Sequence, residues 1–429
     1  MITRVEVMNY RCLKYISQPL DHFRLLVGPN ASGKSTFLDV FRLIRDILTP
    51  EIQVVQAMGN RSEGNPLALA WLGEPAELQF AIELAPPPDL LPAHPGACFR
   101  YEMAIEVPAG GAPSIAAEAL FVYPDGKTES PTGNGQRALF PDSVAAPETI
   151  LALDGSARPR GRHKVVSKAR EGRDYYQWKL GEVGKQTWNQ SVHLGRQRAA
   201  LAYLPVREDD PSDPFHKVAW VRRFLTRHVV DVHLDIDAMR KPAPPTSRLS
   251  LQPDGSNMAW TAQALAETKE TRWKQWIEHV GSLLPGLVGV STEERDFDRH
   301  CVLRVHYDNG AVVPSWLVSD GTLRLLALTL LAYDPHEPSL YLIEEPENGV
   351  HPTAVDGVME SLTSMYDDQV LVATHSLPVL SQSRPAEIIC FGVDPTGATD
   401  VTPGEHHPYL ADWQENWSMA DITASGILA

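Results

Sequence analysis

Gly28-Pro29-Asn30-Ala31-Ser32-Gly33-Lys34-Ser35 fits the pattern G-x-x-x-x-G-K-[ST] without a mismatch, and Thr36 follows it. Each residue type has a physical use at this spacing. Glycines let the backbone curl until its N–H groups point at phosphate oxygens. A helix start behind the loop adds partial positive charge. Lys34 can reach the β- and γ-phosphates, and Ser35 can offer a hydroxyl to Mg²⁺. Gly28 through Thr36 are therefore expected to bind the phosphates of a nucleotide.

A second stretch, SLYLIEEPENGVHP (339–352), is an apolar run ending in two carboxylates. Adjacent acids at a buried strand end are costly without a cation. Glu344 is expected on the metal side, and Glu345 as the base for an attacking water. A third run, VLVATHS (370–376), ends in Thr374, His375 and Ser376. Ligands of a parallel sheet gather at the carboxyl ends of its strands, so His375 is expected near the terminal phosphate. In WLVSDGTLRLLALTLLAY (316–333), Ser319, Asp320 and Gly321 precede a strongly helical run. Ser319 or Asp320 would cap that helix, whose first N–H groups could face an anion.

Positioning these residues requires alternating strands and helices. Val5 and Val7 alternate in a first strand, and Leu25-Leu26-Val27 forms a buried strand before the loop. Phe37, Leu38, Phe41, Ile44 and Leu48 recur at helical spacing, and Pro50 stops that helix. LQFAIEL (78–84) and FRYEMAIEV (99–107) suggest antiparallel strands separated by the proline-rich loop 85–97. Residues 126–195, with RPRGRHK at 158–164, suggest a polar, mobile surface arm or a contact for a phosphate backbone. Residues 215–285 are expected to be largely helical, with WVRRFLTRHVV (220–230) a helix and KPAPP (241–245) a break. From 300 onward strand and helix alternate. YLI (341–343), VLVA (370–373) and IICF (388–391) suit buried parallel strands.

The composition suits a large folded core. The chain has 429 residues, 43% of them hydrophobic, and a formal net charge of −16. That charge does not advertise a nucleic-acid surface, although a local basic groove remains compatible with it. Cys12, Cys98, Cys301 and Cys390 are far apart and suit neither a zinc site nor a disulfide framework. With no signal-like or membrane-length apolar run, a cytoplasmic location and no membrane partner are expected.

The order GPNASGKST, VSDGTLRLL, YLIEEPE, ATHS resembles the ABC-type ATPase heads of the SMC, RecF and OLD group. LQPDGSNMAWTAQAL (251–265) and IEEPENGVHP add to the likeness. It is nearest to the small AAA-family ATPases of bacterial phage-defence systems such as Septu and PARIS. The resemblance implies an α/β fold: an ABC-type head with a parallel core sheet, an N-terminal antiparallel β subdomain and a helical insertion. It divides the chain into an N-terminal lobe (1–205), a mainly helical insertion (206–290) and a C-terminal lobe with a short tail (291–429). It further implies ATP and Mg²⁺ as cofactors and ATP-dependent dimerisation.

Carried over, Ser319, Asp320 and Gly321 would contact ATP from the opposite subunit, with Ser319 and Gly321 at its γ-phosphate. Glu345 would be the catalytic carboxylate, His375 a switch histidine, and Tyr10 and Arg11 would lie near the adenosine. The signature is SDG where transporters have SGG, Glu344 stands where they have Asp, and no Q-loop glutamine is identifiable. About 38 residues follow the last core strand, too few for a fused Toprim nuclease. A separately encoded effector such as a nuclease is the expected partner, with DNA possible. An ATP-driven switch in phage defence competes with a RecF/SMC-like repair ATPase. An ATP-sensing scaffold and a transporter ATPase are further alternatives.

Overall fold

The computed structural model describes residues 1–126, 146–152, 162–168, 173–178, 188–207, 209–213, 215–246, 250–334 and 337–407. Two compact units share the chain. One comprises Met1–Asp21, Asn30–Val229 and Phe391–Thr402. The other comprises His22–Pro29, Val230–Cys390 and Pro403–Ala429.

In chain order the first elements are β1 (Ile2–Tyr10), β2 (Leu13–Pro19), β3 (Phe23–Val27), α1 (Lys34–Leu48) and α2 (Val54–Ser62). They are followed by β4 (Ala76–Leu84), β5 (Cys98–Val107), β6 (Ser114–Tyr123), β7 (His163–Lys168), β8 (Asp174–Trp178), β9 (Trp188–Val192) and α3 (His216–Arg227). All but β3 belong to the first unit. Its eight-stranded sheet runs β2-β1-β4-β5-β6-β7-β8-β9, with every neighbouring pair antiparallel. The two strands expected at 78–84 and 99–107 pair directly, Leu78 opposite Ile105 and Leu84 opposite Phe99. Helix α1 buries Phe37, Leu38, Phe41, Ile44 and Leu48 as their spacing requires, and stops before Pro50.

This sheet corrects the expected polar arm. The described parts of 126–195 include β7, β8 and β9, short and largely polar strands that extend the sheet. The stretch 158–161 falls outside the described residues. Arg162 lies over the Phe121 ring at 4.6 Å and donates to the Ala152 carbonyl. The sheet also holds a buried ionic network. Arg100, fully buried, pairs with Glu6 at 2.6 Å, Glu83 at 2.8 Å and Glu102 at 2.7 Å, and donates to the Ile150 carbonyl.

The second unit adds β10 (Val229–Val232, of which Val230 onward lies here), α4 (Ile236–Arg240), α5 (Met258–Thr268) and α6 (Glu270–Leu283). Next come β11 (Leu287–Glu294), β12 (Cys301–Tyr307) and β13 (Val312–Pro314), then α7 (Asp320–Leu331), β14 (Leu340–Glu344), α8 (Pro352–Thr363), β15 (Gln369–Thr374), α9 (Leu377–Gln382) and β16 (Ile388–Val393, of which the part up to Cys390 lies here). Its sheet runs β10-β14-β15-β3-β16. The pairings β14–β15, β15–β3 and β16–β3 are parallel, as the buried apolar runs predict.

Two departures occur in this unit. The helix expected through 230 stops at Arg227, because Val229 and Val232 bury as a strand at the sheet edge. Residues 287–314 form a separate antiparallel sheet, β11-β12-β13, where only strand–helix alternation was expected. Trp276 of α6 is fully buried in the core and donates to the Thr329 hydroxyl of α7 at 3.0 Å. All four cysteine thiols are free. No helix among the described residues is long and apolar enough to cross a membrane. Residues 408–429, most of the C-terminal tail, lie outside the described residues.

Candidate active site

The glycine-rich loop leaves β3 after Val27, with Gly28 and Pro29 in the same unit as the sheet; from Asn30 the chain belongs to the other unit. Gly28 has φ 151, Ala31 φ 64 and Gly33 φ 104, so the loop makes repeated left-handed excursions. Gly33 is also the N-cap of α1 and has no side chain to bond the first-turn N–H groups. A Cβ at Gly33 would stand 2.3 Å from Thr399 Oγ1 and 3.1 Å from Cys12 Sγ. Thr399 in turn donates to the Ser32 carbonyl at 2.9 Å, pinning the loop. Lys34 begins α1 and is 8% exposed, with Ser35 and Thr36 in the same turn.

Tyr10 and Arg11 have structural partners. The Tyr10 hydroxyl donates to Asp39 of α1 at 2.5 Å. Burial first, then Asp39, raises the pKa of that phenol well above the usual range. Arg11, at φ 50, donates to the Arg61 carbonyl at 3.0 Å and lies 3.8 Å from Asp39. Arg61 holds Asp39 at 2.9 Å and Asp46 at 2.7 Å.

At the carboxyl edge of the parallel sheet, Val27 lies opposite Thr374, and Ala373 opposite Glu344. The loop's first residues, the acids and His375 therefore follow the ends of adjacent strands β3, β14 and β15. Glu344 is exposed, so the expected burial of both acids falls instead on Glu345, which is half-buried. The reason is the backbone: β14 ends at Glu344, and Glu345 just beyond it takes a left-handed conformation that turns its side chain onto His375. Glu345 has φ 49, and its N–H donates to the Ala373 carbonyl at 2.8 Å. Its Oε1 meets His375 Nδ1 at 2.8 Å. A carboxylate held by an imidazole at a sheet edge is equipped to accept a proton from water.

Sequence reasoning missed Glu347. This half-buried acid accepts a hydrogen bond from the Thr374 hydroxyl. Burial, reinforced by neighbouring Glu345, pushes its pKa up to about 7. The signal in the sequence was a third acid two positions beyond Glu345, across Pro346.

Ser319, not Asp320, caps α7, accepting from the Thr322 N–H at 3.2 Å. Asp320 pairs with Arg240. Gly321 lies against the turn that follows β14: a Cβ there would be 2.5 Å from the Gly349 carbonyl oxygen. The start of α7 and the turn carrying Glu345 and Glu347 are thus in direct contact within one unit.

Residues 136–381 match the family described as "AAA domain, putative AbiEii toxin, Type IV TA system". Residues 1–71 match a family described as "AAA ATPase domain". A 53-residue stretch is 38% identical to a protein named OLD nuclease from Thermus scotoductus, covering 12% of this chain and 10% of that protein. Among solved structures, an SMC head bound to the C-terminal winged-helix domain of ScpA aligns over 94% of this chain and 97% of its own, at 15% identity and TM-score 0.49. An SMC head from Pyrococcus furiosus bound to the ScpA C-terminal domain aligns over 94% and 95%, at 13% identity and TM-score 0.46. The SMC head domain from Thermotoga maritima aligns over 94% and 98%, at 9% identity and TM-score 0.42. The first family match spans more than half of the chain and, with its phosphate loop, the protein belongs to the AAA-domain ATPases and is an ATP-hydrolysing enzyme.

Proposed function

We propose that this ATPase works as a switch of the ABC/SMC head type, with Glu345 as general base. The observation that carries the reading is the 2.8 Å hydrogen bond between Glu345 and His375 at the sheet edge where the phosphate loop begins. In this reading Gly28–Thr36 cradle the triphosphate, Lys34 neutralises the β- and γ-phosphates, and His375 orients Glu345 and the terminal phosphate. The Ser35 hydroxyl and the exposed Glu344 carboxylate are hard oxygen donors of the kind Mg²⁺ takes in ones and twos, the rest coming from phosphate and water. When bound, the ion would offset charge on the β- and γ-phosphate oxygens. Glu345 takes the proton of the attacking water.

Two copies would close on ATP, with Ser319, Asp320 and Gly321 of each meeting the nucleotide of the other. Hydrolysis would separate them, and that change of shape would control a separately encoded cytoplasmic effector, such as a nuclease, in phage defence. The motif order supports the dimer; the likeness to defence ATPases supports the role.

The test uses Mg²⁺-ATP turnover and nucleotide binding. Lys34→Ala abolishes binding. Glu345→Gln keeps binding, forms an ATP-stabilised dimer and slows turnover by roughly 10²–10⁴-fold. Unchanged turnover in Glu345→Gln removes the base assignment, and a monomer with ATP bound removes the switch.

A further inference from the structure

The turn after β14 is tied to the end of β15 at two places, and only one involves the residues assigned so far. The first tie is Glu345 Oε1 to His375 Nδ1 at 2.8 Å. The second runs from Thr374, whose hydroxyl donates to Glu347 Oε1 while its oxygen accepts the Ser376 N–H at 2.9 Å. The turn is fixed by its backbone as well: Asn348 N–H donates to Glu345 O, and Val350 N–H to Glu347 O, both at 3.0 Å.

Between the two ties lie Glu345 Oε2 and Glu347 Oε2. Both are buried and have no hydrogen-bond donor among the described residues. The two carboxyl groups are themselves in contact. Two ionised carboxylates would leave a pair of acceptors facing each other in a desolvated place, which is strongly unfavourable. A single proton shared by the two carboxyl groups relieves that conflict.

We propose that Glu347 is a positioning residue for the catalytic carboxylate: clamped by Thr374, it donates its carboxyl proton to the Glu345 carboxylate and holds Glu345 Oε1 against His375. The proposal rests on Glu345 being the general base. Burial favours the neutral form of Glu347, which keeps the shared proton on the residue that does not face the reaction. The left-handed φ of 49 at Glu345 turns the chain sharply enough for its carboxyl and that of Glu347, two residues on, to meet.

Steady-state ATPase measurements with Mg²⁺ test this on the full chain. Glu347→Ala removes both bonds and lowers kcat by about 10–100-fold with KM for ATP within about twofold, the effect of misplacing a reacting group without touching substrate binding. Glu347→Gln rescues to within about threefold, because its amide N–H₂ donates to Glu345 and its carbonyl accepts from Thr374. Thr374→Val behaves as Glu347→Ala, Thr374→Ser as wild type, and the Glu347→Ala/Thr374→Val pair loses no more than either alone. Wild-type kcat in Glu347→Ala overturns the proposal. So does a Glu347→Gln loss equal to that of Glu347→Ala, since charge would then matter and not the proton. If Glu347→Ala does not fold, the Thr374→Val and Thr374→Ser pair decides on the same criteria. Glu345→Gln is measured alongside. Normal turnover there sinks the base assignment; a dead Glu345→Gln beside a wild-type Glu347→Ala sinks only the positioning role.

Discussion

Replacing Gly33 by alanine introduces one methyl group at the tightest point of the phosphate loop. The backbone sits at φ 104, ψ 4, a conformation that costs an L-residue about 1–2 kcal/mol. The new Cβ would stand 2.3 Å from Thr399 Oγ1, 3.1 Å from Thr399 Cγ2 and 3.1 Å from Cys12 Sγ. Thr399 is 5% exposed and cannot swing away without losing its hydrogen bond to Ser32 O. Overpacking of this kind costs about 1–3 kcal/mol, and the lost bond about 0.5–1.5 kcal/mol. Together the three come to about 3–6 kcal/mol, a large share of the roughly 5–15 kcal/mol that holds a domain folded.

Urea unfolding followed by circular dichroism measures the loss, on Gly33→Ala, Thr399→Ala and the double variant. Thr399→Ala alone costs about 1–2 kcal/mol through the orphaned Ser32 carbonyl. The double variant recovers the steric part, loses the hydrogen bond once and not twice, and keeps the φ strain, so it is about 1.5–4.5 kcal/mol more stable than the sum of the singles. A Gly33→Ala protein within about 1 kcal/mol of wild type, or strict additivity with Thr399→Ala, would refute the reasoning.

Gly321→Ala pushes a methyl to 2.5 Å from the Gly349 carbonyl, which is backbone and cannot rotate away. A loss of about 1–3 kcal/mol in chemical denaturation is expected, with Gly321→Ser no better. Arg100→Met leaves Glu6, Glu83 and Glu102 without their shared cation and destabilises by about 3–5 kcal/mol at pH 7. Acidification should narrow that gap, since protonated carboxyls no longer need the guanidinium; a gap independent of pH argues against the network. Glu347 has a folded pKa of about 7, above its ordinary 4.5, through burial and then Glu345. Between those values the folded state binds more protons than the unfolded one, so this residue's contribution is full below pH 4.5 and is lost as pH rises toward 7. Thermal melts of nucleotide-free protein in EDTA should show that Glu347→Gln flattens the decline; parallel pH curves for the two proteins contradict it.

Much of the proposed catalytic machinery could be named before any fold was known, because its residues follow one another in short runs whose local physics is self-contained. A glycine-rich turn between an apolar strand and an amphipathic helix specifies a phosphate cradle wherever it occurs. The runs Leu340–Ile343 and Val370–Ala373 announce buried parallel strands by being almost wholly apolar. Short-range patterns mislead where long-range pairing wins. Val229–Val232 continues a helical spacing yet joins a sheet, and β7–β9 arise from segments too short and polar to stand out until neighbouring strands supply their hydrogen bonds.

Chain order alone named Glu344, Glu345, His375 and the phosphate loop as candidates, though not Glu347, since spacing of a few residues fixes which groups a turn or strand end presents. Tertiary structure decided which of them meet. Register between β14 and β15 brings His375 to Glu345 across 30 positions, and the turn beyond Pro346 brings Glu347 back to Thr374. Close approach of α7 to Gly349 and of Thr399 to Gly33 likewise depends on elements far apart in the chain. Periodicity tells which side of a strand is buried; it carries no information about the neighbour that buries it.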